Sequence, residues 1–270
     1  MKRIQTWIED LEAQGRLFLT RKEALSALDI SDNAFHLQMK RLYSKKRVVC
    51  VGSGLYAIVP FQFRHQGCIP VHWLIDPYFQ HLAKDYYVGL LSAASFYGAT
   101  HQQPMIFQVM VDEHRRRLRL PNLHVYFYGQ RYMNEAHTSH IQVPTGRLRI
   151  STPAQTMVDL VRFYKAGGYM DNVACVIHSL ADVVASKDLE KVLPLSETSP
   201  LQRLGYILDV LEREKLSSCV DRFLNRERHK ARTFLKPDVD VKTGRFARDR
   251  LYNQKWKLVI NDSLDLSSYA

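Results

Sequence analysis

Between residues 31 and 59 the spacing of apolar residues changes from a helical period to a strand period, and no single element satisfies both. Phe35, Met39 and Leu42 recur at i, i+4 and i+7, one face of a helix. Ser31 ahead of them is a good N-cap, so a helix is predicted over residues 32–44. Residues 47–51 and 55–59 then read as two strands around Gly52-Ser53-Gly54, whose glycines supply the positive φ values of a tight hairpin turn. Upstream, Ile4, Ile8 and Leu11 line a first helix that ends near Gly15, in the C′ position favoured by glycine. Thr20-Arg21-Lys22-Glu23 matches a capping box, in which Thr20 caps an amide and Glu23 reaches back. Ala24, Leu25, Ala27 and Leu28 give a short second helix, and Asp29-Ile30-Ser31 makes the turn to the third.

Three helices with a short turn between the second and third, followed by a hairpin, is the winged helix-turn-helix order. The third helix has the size to enter a major groove. The predicted DNA contacts are Ser31, Asn33, His36, Lys40 and Arg41 on or beside its outer face. Lys45, Lys46 and Arg47 join the helix to the hairpin, and Ser53 lies at the tip. Asn33 offers an amide that can read adenine, and the cations can meet guanine or phosphate. The same pattern also fits a small helical subdomain with a solvated basic face, or a winged helix used for protein contact.

Charge agrees with a polyanionic partner without proving one. The chain of 270 residues carries 38 basic and 27 acidic residues, a net +11. Ten basic against six acidic residues leave the first sixty positions at +4, most of it after residue 39. Apolar residues at 46% and charged residues at 24% exclude a disordered or collagen-like chain. No apolar run approaches the roughly 18–20 residues of a membrane span, and the start lacks a signal-like apolar region. A cytoplasmic protein without membrane contact is expected. Cys50, Cys68, Cys175 and Cys219 lie far apart and read as reduced, mostly buried thiols.

A larger mixed α/β domain is predicted over residues 61–192. Its expected elements are a helix over 77–82 with Pro77 at N1, a helix over 86–97 closed by Gly98, and strands over 106–111 and 123–128. A strand over 147–150 runs into Ser151-Thr152-Pro153, a cap with an N1 proline, and helices follow over 154–164 and 169–180. Arg115, Arg116, Arg117 and Arg119 could grip phosphate or a partner protein, or form a solvated edge or the connection of a hairpin. The remainder, 193–270, is predicted as a helical part packed on this domain, with helices over 201–214 and 218–228. There Arg226, Arg228 and Lys230 form a second candidate contact for nucleic acid or a partner, within a basic cluster that also reads as a solvated helix face. The fold class is α+β.

Catalytic signatures are weak. Pro237-Asp238 and Asp240-x-Lys242 evoke a metal-dependent nuclease motif, but its two halves belong on successive strands and here overlap within six positions. His137 with His140, and Cys175 with His178, are spaced three apart but lack third and fourth ligands. No phosphate-binding loop, Gly-x-Ser-x-Gly or His-Glu-x-x-His is present. Neither catalysis, nor a cofactor, nor a metal is expected.

Four blocks nevertheless share a pattern. The stretch Tyr86-Tyr87-Val88-Gly89-Leu90-Leu91-Ser92-Ala93-Ala94-Ser95-Phe96-Tyr97-Gly98-Ala99-Thr100-His101-Gln102 resembles a block of the AbiEi family of antitoxin regulators. So do Ile150-Ser151-Thr152-Pro153-Ala154-Gln155-Thr156-Met157-Val158-Asp159-Leu160, Gln202-Arg203-Leu204-Gly205-Tyr206-Ile207-Leu208 and Trp256-Lys257-Leu258-Val259-Ile260-Asn261. The resemblance implies a DNA-binding autorepressor and antitoxin of a type IV toxin–antitoxin pair, linked to abortive phage infection. Its implied partners are operator repeats in double-stranded DNA, bound as monomer or dimer, and a nucleotidyltransferase-like toxin counteracted by the C-terminal domain. Two other readings stay open: an antitoxin acting by direct toxin contact, and a nucleic-acid-modifying enzyme.

Overall fold

Helix formation at the N-terminus follows the apolar spacing closely. A computed structural model describes residues 4–100, 104–113, 115–238 and 251–266. Asp240 and Lys242 of the nuclease-like motif, and His101 and Gln102 of the first resembling block, lie outside the described residues. Helix α1 (Ile4–Ala13) buries Ile4, Ile8 and Leu11, and Gly15 beyond it takes φ +75°. After strand β1 (Phe18–Thr20), the Thr20 hydroxyl accepts from the Glu23 amide at 3.1 Å and starts α2 (Arg21–Leu28). Glu23 does not reach back to complete the capping box. Its carboxylate takes a bond from Arg16 instead, at 2.6 Å. Helix α3 (Asp32–Ser44) buries Phe35, Met39 and Leu42.

Strands β2 (Val48–Gly52) and β3 (Leu55–Ile58) follow, and an antiparallel sheet of order β1-β3-β2 results. Strand β1 was not anticipated, because a three-residue segment has too short a period to register. Ile8, Leu19, Phe35, Met39 and Ile58 are among the residues that fill the core between helices and sheet.

Contacts divide the chain into two units. The first comprises Met1–Tyr87, Met105–Gln130 and His140–Arg149; the second comprises Val88–Pro104, Arg131–Ser139 and Ile150–Ala270. In the first unit, helix α4 (Val71–Leu82) begins six residues before the expected start, with Pro77 inside it rather than at N1. Proline has no N–H to give the carbonyl four residues back. That carbonyl, on Trp73, accepts from the Thr145 hydroxyl at 2.7 Å, so the missing bond is replaced.

Tyr86-Tyr87-Val88 forms buried strand β4 (Tyr86–Val88) rather than the first turn of a helix, and α5 (Leu90–Phe96) starts only after Gly89. Two aromatics and a β-branched residue in succession favour a strand buried on both faces. The Tyr86 hydroxyl donates to Asp76 at 2.7 Å, and burial pushes its pKa far up.

Strands β5 (Ile106–Val111), β6 (Leu118–Leu120), β7 (Leu123–Gly129), β8 (Thr138–Val143) and β9 (Gly146–Ser151) join β4 in a mixed sheet of order β6-β7-β5-β4-β9-β8. β5 runs parallel to β7 from Ile106↔His124 to Val111↔Gly129, and β6 runs antiparallel to β7 through Leu120↔Leu123.

In the second unit Thr152 caps α6 (Pro153–Arg162), and residues 154–161 are all buried. Gln155, second in this run, accepts from the His137 amide at 3.2 Å and donates to Asp159 at 2.9 Å, which satisfies its buried amide. Helices α7 (Tyr169–Ala181), α8 (Ser186–Val192), α9 (Thr198–Val210) and α10 (Glu214–Glu227) follow. The last two pack against each other across a tight turn, where Glu212 takes φ +57°.

The C-terminal part is not helical throughout. Strands β10 (Thr233–Phe234), β11 (Leu251–Asn253) and β12 (Leu258–Ile260) form a sheet of order β10-β12-β11. Trp256, fully buried, lies where a Cβ at Gly205 would overlap its ring, so α9 needs glycine there. Gln202 donates to the Trp256 carbonyl at 2.5 Å, and Trp256 Nε1 donates to Asp209 at 2.6 Å. Two of the resembling blocks are therefore one packed assembly. Among the described residues no helix is long and apolar enough to cross a membrane.

Candidate nucleic-acid interface

Because Phe35, Met39 and Leu42 are held inward, the helical period turns Asn33, His36, Leu37, Lys40, Arg41 and Ser44 outward, and all six are exposed. Ser31 caps α3 by accepting from the Ala34 amide at 3.3 Å, so its oxygen is engaged by the helix. Asp32 is the acidic residue of the first turn, and Arg21 Nε holds it at 2.8 Å. No ion pair involves Lys40, Arg41 or Lys45 among the described residues.

Lys46 takes φ +52° as the chain leaves the helix, and its Nζ donates to the His65 carbonyl at 3.2 Å. Arg47 departs from the expected set. Its side chain is 12% exposed and binds Glu9 at 2.9 Å, and that bond, chiefly, holds the Glu9 carboxyl below its usual range. Its guanidinium thus ties α1 to the start of β2. Ser53, at the hairpin tip, is exposed with φ +53°, and its carbonyl lies 2.9 Å from His81 Nε2.

The arginines of the second cluster do not converge. Arg117 lies 4.0 Å from the centre of the Tyr126 ring and donates to its hydroxyl at 3.1 Å. Arg115 lies over Phe79 at 5.8 Å, and Arg116 is exposed. Arg119 instead lines a groove with Tyr43, Lys46, Cys50, Gly67 and Asn122. Within the first unit, the end of α3 and the β6–β7 turn thus meet at one cationic groove. Burial raises the Tyr43 phenol well above its ordinary value, so it stays protonated in this groove.

The third cluster divides as well. Lys230 is 8% exposed and is spent on Asp221 at 2.5 Å, on the Lys255 carbonyl at 2.9 Å and on the face of Trp256. It is not available as a surface contact. Arg226 is exposed but pairs with Glu227 at 3.0 Å, and Arg228, exposed, ends α10.

His137 and His140 fall at and in strand β8, not on a helix, and no three His, Cys, Asp or Glu among the described residues form a metal-holding group. Cys50 is exposed and the other three cysteines are buried. Leu37, 66% exposed, was overlooked in the sequence. The signal was there: it stands four residues after Asn33 and three before Lys40, on the row already assigned to solvent.

Residues 87–210 match the AbiEi antitoxin C-terminal domain. The fold is similar to that of the RV2827C protein from Mycobacterium tuberculosis, at TM-score 0.66 and 15% identity, over 97% of this chain and 90% of that one. An antigenic nucleotidyltransferase-like protein from Paracoccidioides brasiliensis aligns at TM-score 0.35 and 12% identity, over 56% of this chain and 90% of that one. No curated protein matches the sequence.

Proposed function

We propose that the chain, whose residues 87–210 match the AbiEi antitoxin C-terminal domain, is an antitoxin of that family and also a DNA-binding autorepressor of its own toxin–antitoxin pair. On this reading α1–β3 is a winged helix-turn-helix, α3 enters the major groove, and the β2–β3 turn with Ser53 lies against the backbone. Lys40, Arg41, Lys45 and Lys46 neutralise phosphate, while Asn33 and His36 face base edges. Arg119 extends the same cationic surface along the groove at the end of α3. The protein acts in the cytoplasm as a non-enzymatic regulator of type IV abortive infection, and the family domain counteracts a nucleotidyltransferase-like toxin.

One observation carries the DNA reading: α3 buries its apolar row of Phe35, Met39 and Leu42 and leaves on the opposite row an amide, an imidazole and cations that no carboxylate pairs with among the described residues. Cations kept solvated and unpaired retain their full attraction for a polyanion. Binding to the chain's own promoter region, followed by fluorescence anisotropy across a salt series, tests it. Four neutralised phosphates per protomer give a slope of log K against log salt near −3.6, and Lys40→Ala or Arg41→Ala should each flatten it by about 0.9. Asn33→Ala should relax preference at one base pair instead. Undiminished affinity and slope in Lys40→Ala/Arg41→Ala/Lys45→Ala defeats the reading.

A further inference from the structure

We propose that Leu37 is a specificity-determining residue that contacts the C5-methyl group of a thymine in the major groove; this rests on the DNA reading above. Leu37 is 66% exposed in the middle of a helix whose other exposed members on that face are Asn33, His36, Lys40, Arg41 and Ser44. At about 100° per residue it points almost directly opposite the buried row of Phe35, Met39 and Leu42. Single exposed apolar residues are ordinary on protein surfaces. This one stands at the centre of a face of otherwise polar and cationic side chains, and the surrounding charge selects what can cover it.

An apolar pocket on a partner protein would have to accept Leu37 together with Lys40 and Arg41 and desolvate those cations. The major groove offers both partners at once. Its phosphates flank the cations, and the thymine methyl is the apolar group that a base pair presents there. Asn33 lies one turn earlier on the same row, about 6 Å along the axis, so an amide and an isobutyl group reach neighbouring base pairs. The combination fits A·T pairs: adenine N6 and N7 for the amide, and the thymine methyl for the leucine.

The test replaces each thymine of the operator by deoxyuridine, which removes the methyl and keeps every hydrogen-bonding group. At one position the full-length protein should lose about fourfold in affinity, the worth of one buried methyl. Leu37→Ala should bind the thymine operator weaker by a similar factor and show no further loss with deoxyuridine at that position. Its melting temperature should match the parent, since the side chain is exposed and alanine is the better helix former. Uniform tolerance of deoxyuridine by the parent overturns the proposal. So does equal sensitivity to deoxyuridine in parent and Leu37→Ala. If the parent binds uracil-insensitively but with a salt slope that Lys40→Ala flattens, the leucine contact alone has failed. If the parent does not bind its promoter region at all, the DNA reading has failed and this contact falls with it.

Discussion

Helix α3 of the first unit and the end of α10 in the second carry clusters of similar basic composition, and the structure engages more of the second than of the first. On α3 Arg21 binds Asp32, and no ion pair engages Lys40 or Arg41 among the described residues. Around α10 acids are interleaved: Asp221 takes Lys230, Glu227 takes Arg226, and Glu190 approaches Arg222 at 3.7 Å. Elsewhere in the same unit Lys236 lies between Asp171 and Asp262, and Lys255 binds Asp209. A cation already desolvated and paired has little left for a phosphate, whereas an exposed, unpaired one retains its full field. Counting basic residues therefore locates charge but not availability.

The largest effect on folding should come from breaking a tied cation. Lys230→Met keeps the stem over Trp256 but strands Asp221, and about 1.5–3 kcal/mol of stability should be lost in urea denaturation. Operator affinity should be unchanged. A fall in affinity with no loss of stability would place Lys230 with the available cations and undo the contrast.

Next comes Asp209→Asn, at about 1 kcal/mol. Burial works to raise the Asp209 pKa, but bonds from Ser217, Lys255 and Trp256 more than offset it and hold it below the usual 3.8. A carboxyl lowered in the folded state adds stability above its unfolded value, and that stability disappears as pH falls through the folded value. The difference in melting temperature between parent and variant should stay level from about pH 8 to pH 5 and close below about pH 4. A difference that widens on acidification would contradict the assigned ion pair.

The smallest effect on stability should come from Lys40→Ala/Arg41→Ala, within about 0.5 kcal/mol. A loss beyond about 1 kcal/mol would show that these cations are structurally engaged after all, and the two regions would no longer differ in kind.

Much of the N-terminal module was legible because its signals are local. Thr20 and Ser31 cap the helices they precede, Gly15 ends α1, and Gly52 and Gly54 turn the hairpin. Elements whose stability comes from distant partners were missed or misread. Tyr86-Tyr87-Val88 is a strand because Val88 pairs with Ile150, sixty-two residues away in the sequence. Pro77 sits inside a helix because Thr145 supplies the bond it cannot make. Of the candidate site residues, the outward row of α3 could be read from periodicity, but the engagement of Arg47 by Glu9 could not.

From the order of residues alone one obtains which face of α3 is apolar, where that helix starts, and that the chain as a whole is cationic. These depend on side-chain chemistry and a fixed helical pitch within a few residues. Which cations stay open to a ligand was settled by the three-dimensional fold. Pairing is a matter of a few ångströms between groups far apart along the chain, and an ion pair across such a distance follows from packing rather than spacing.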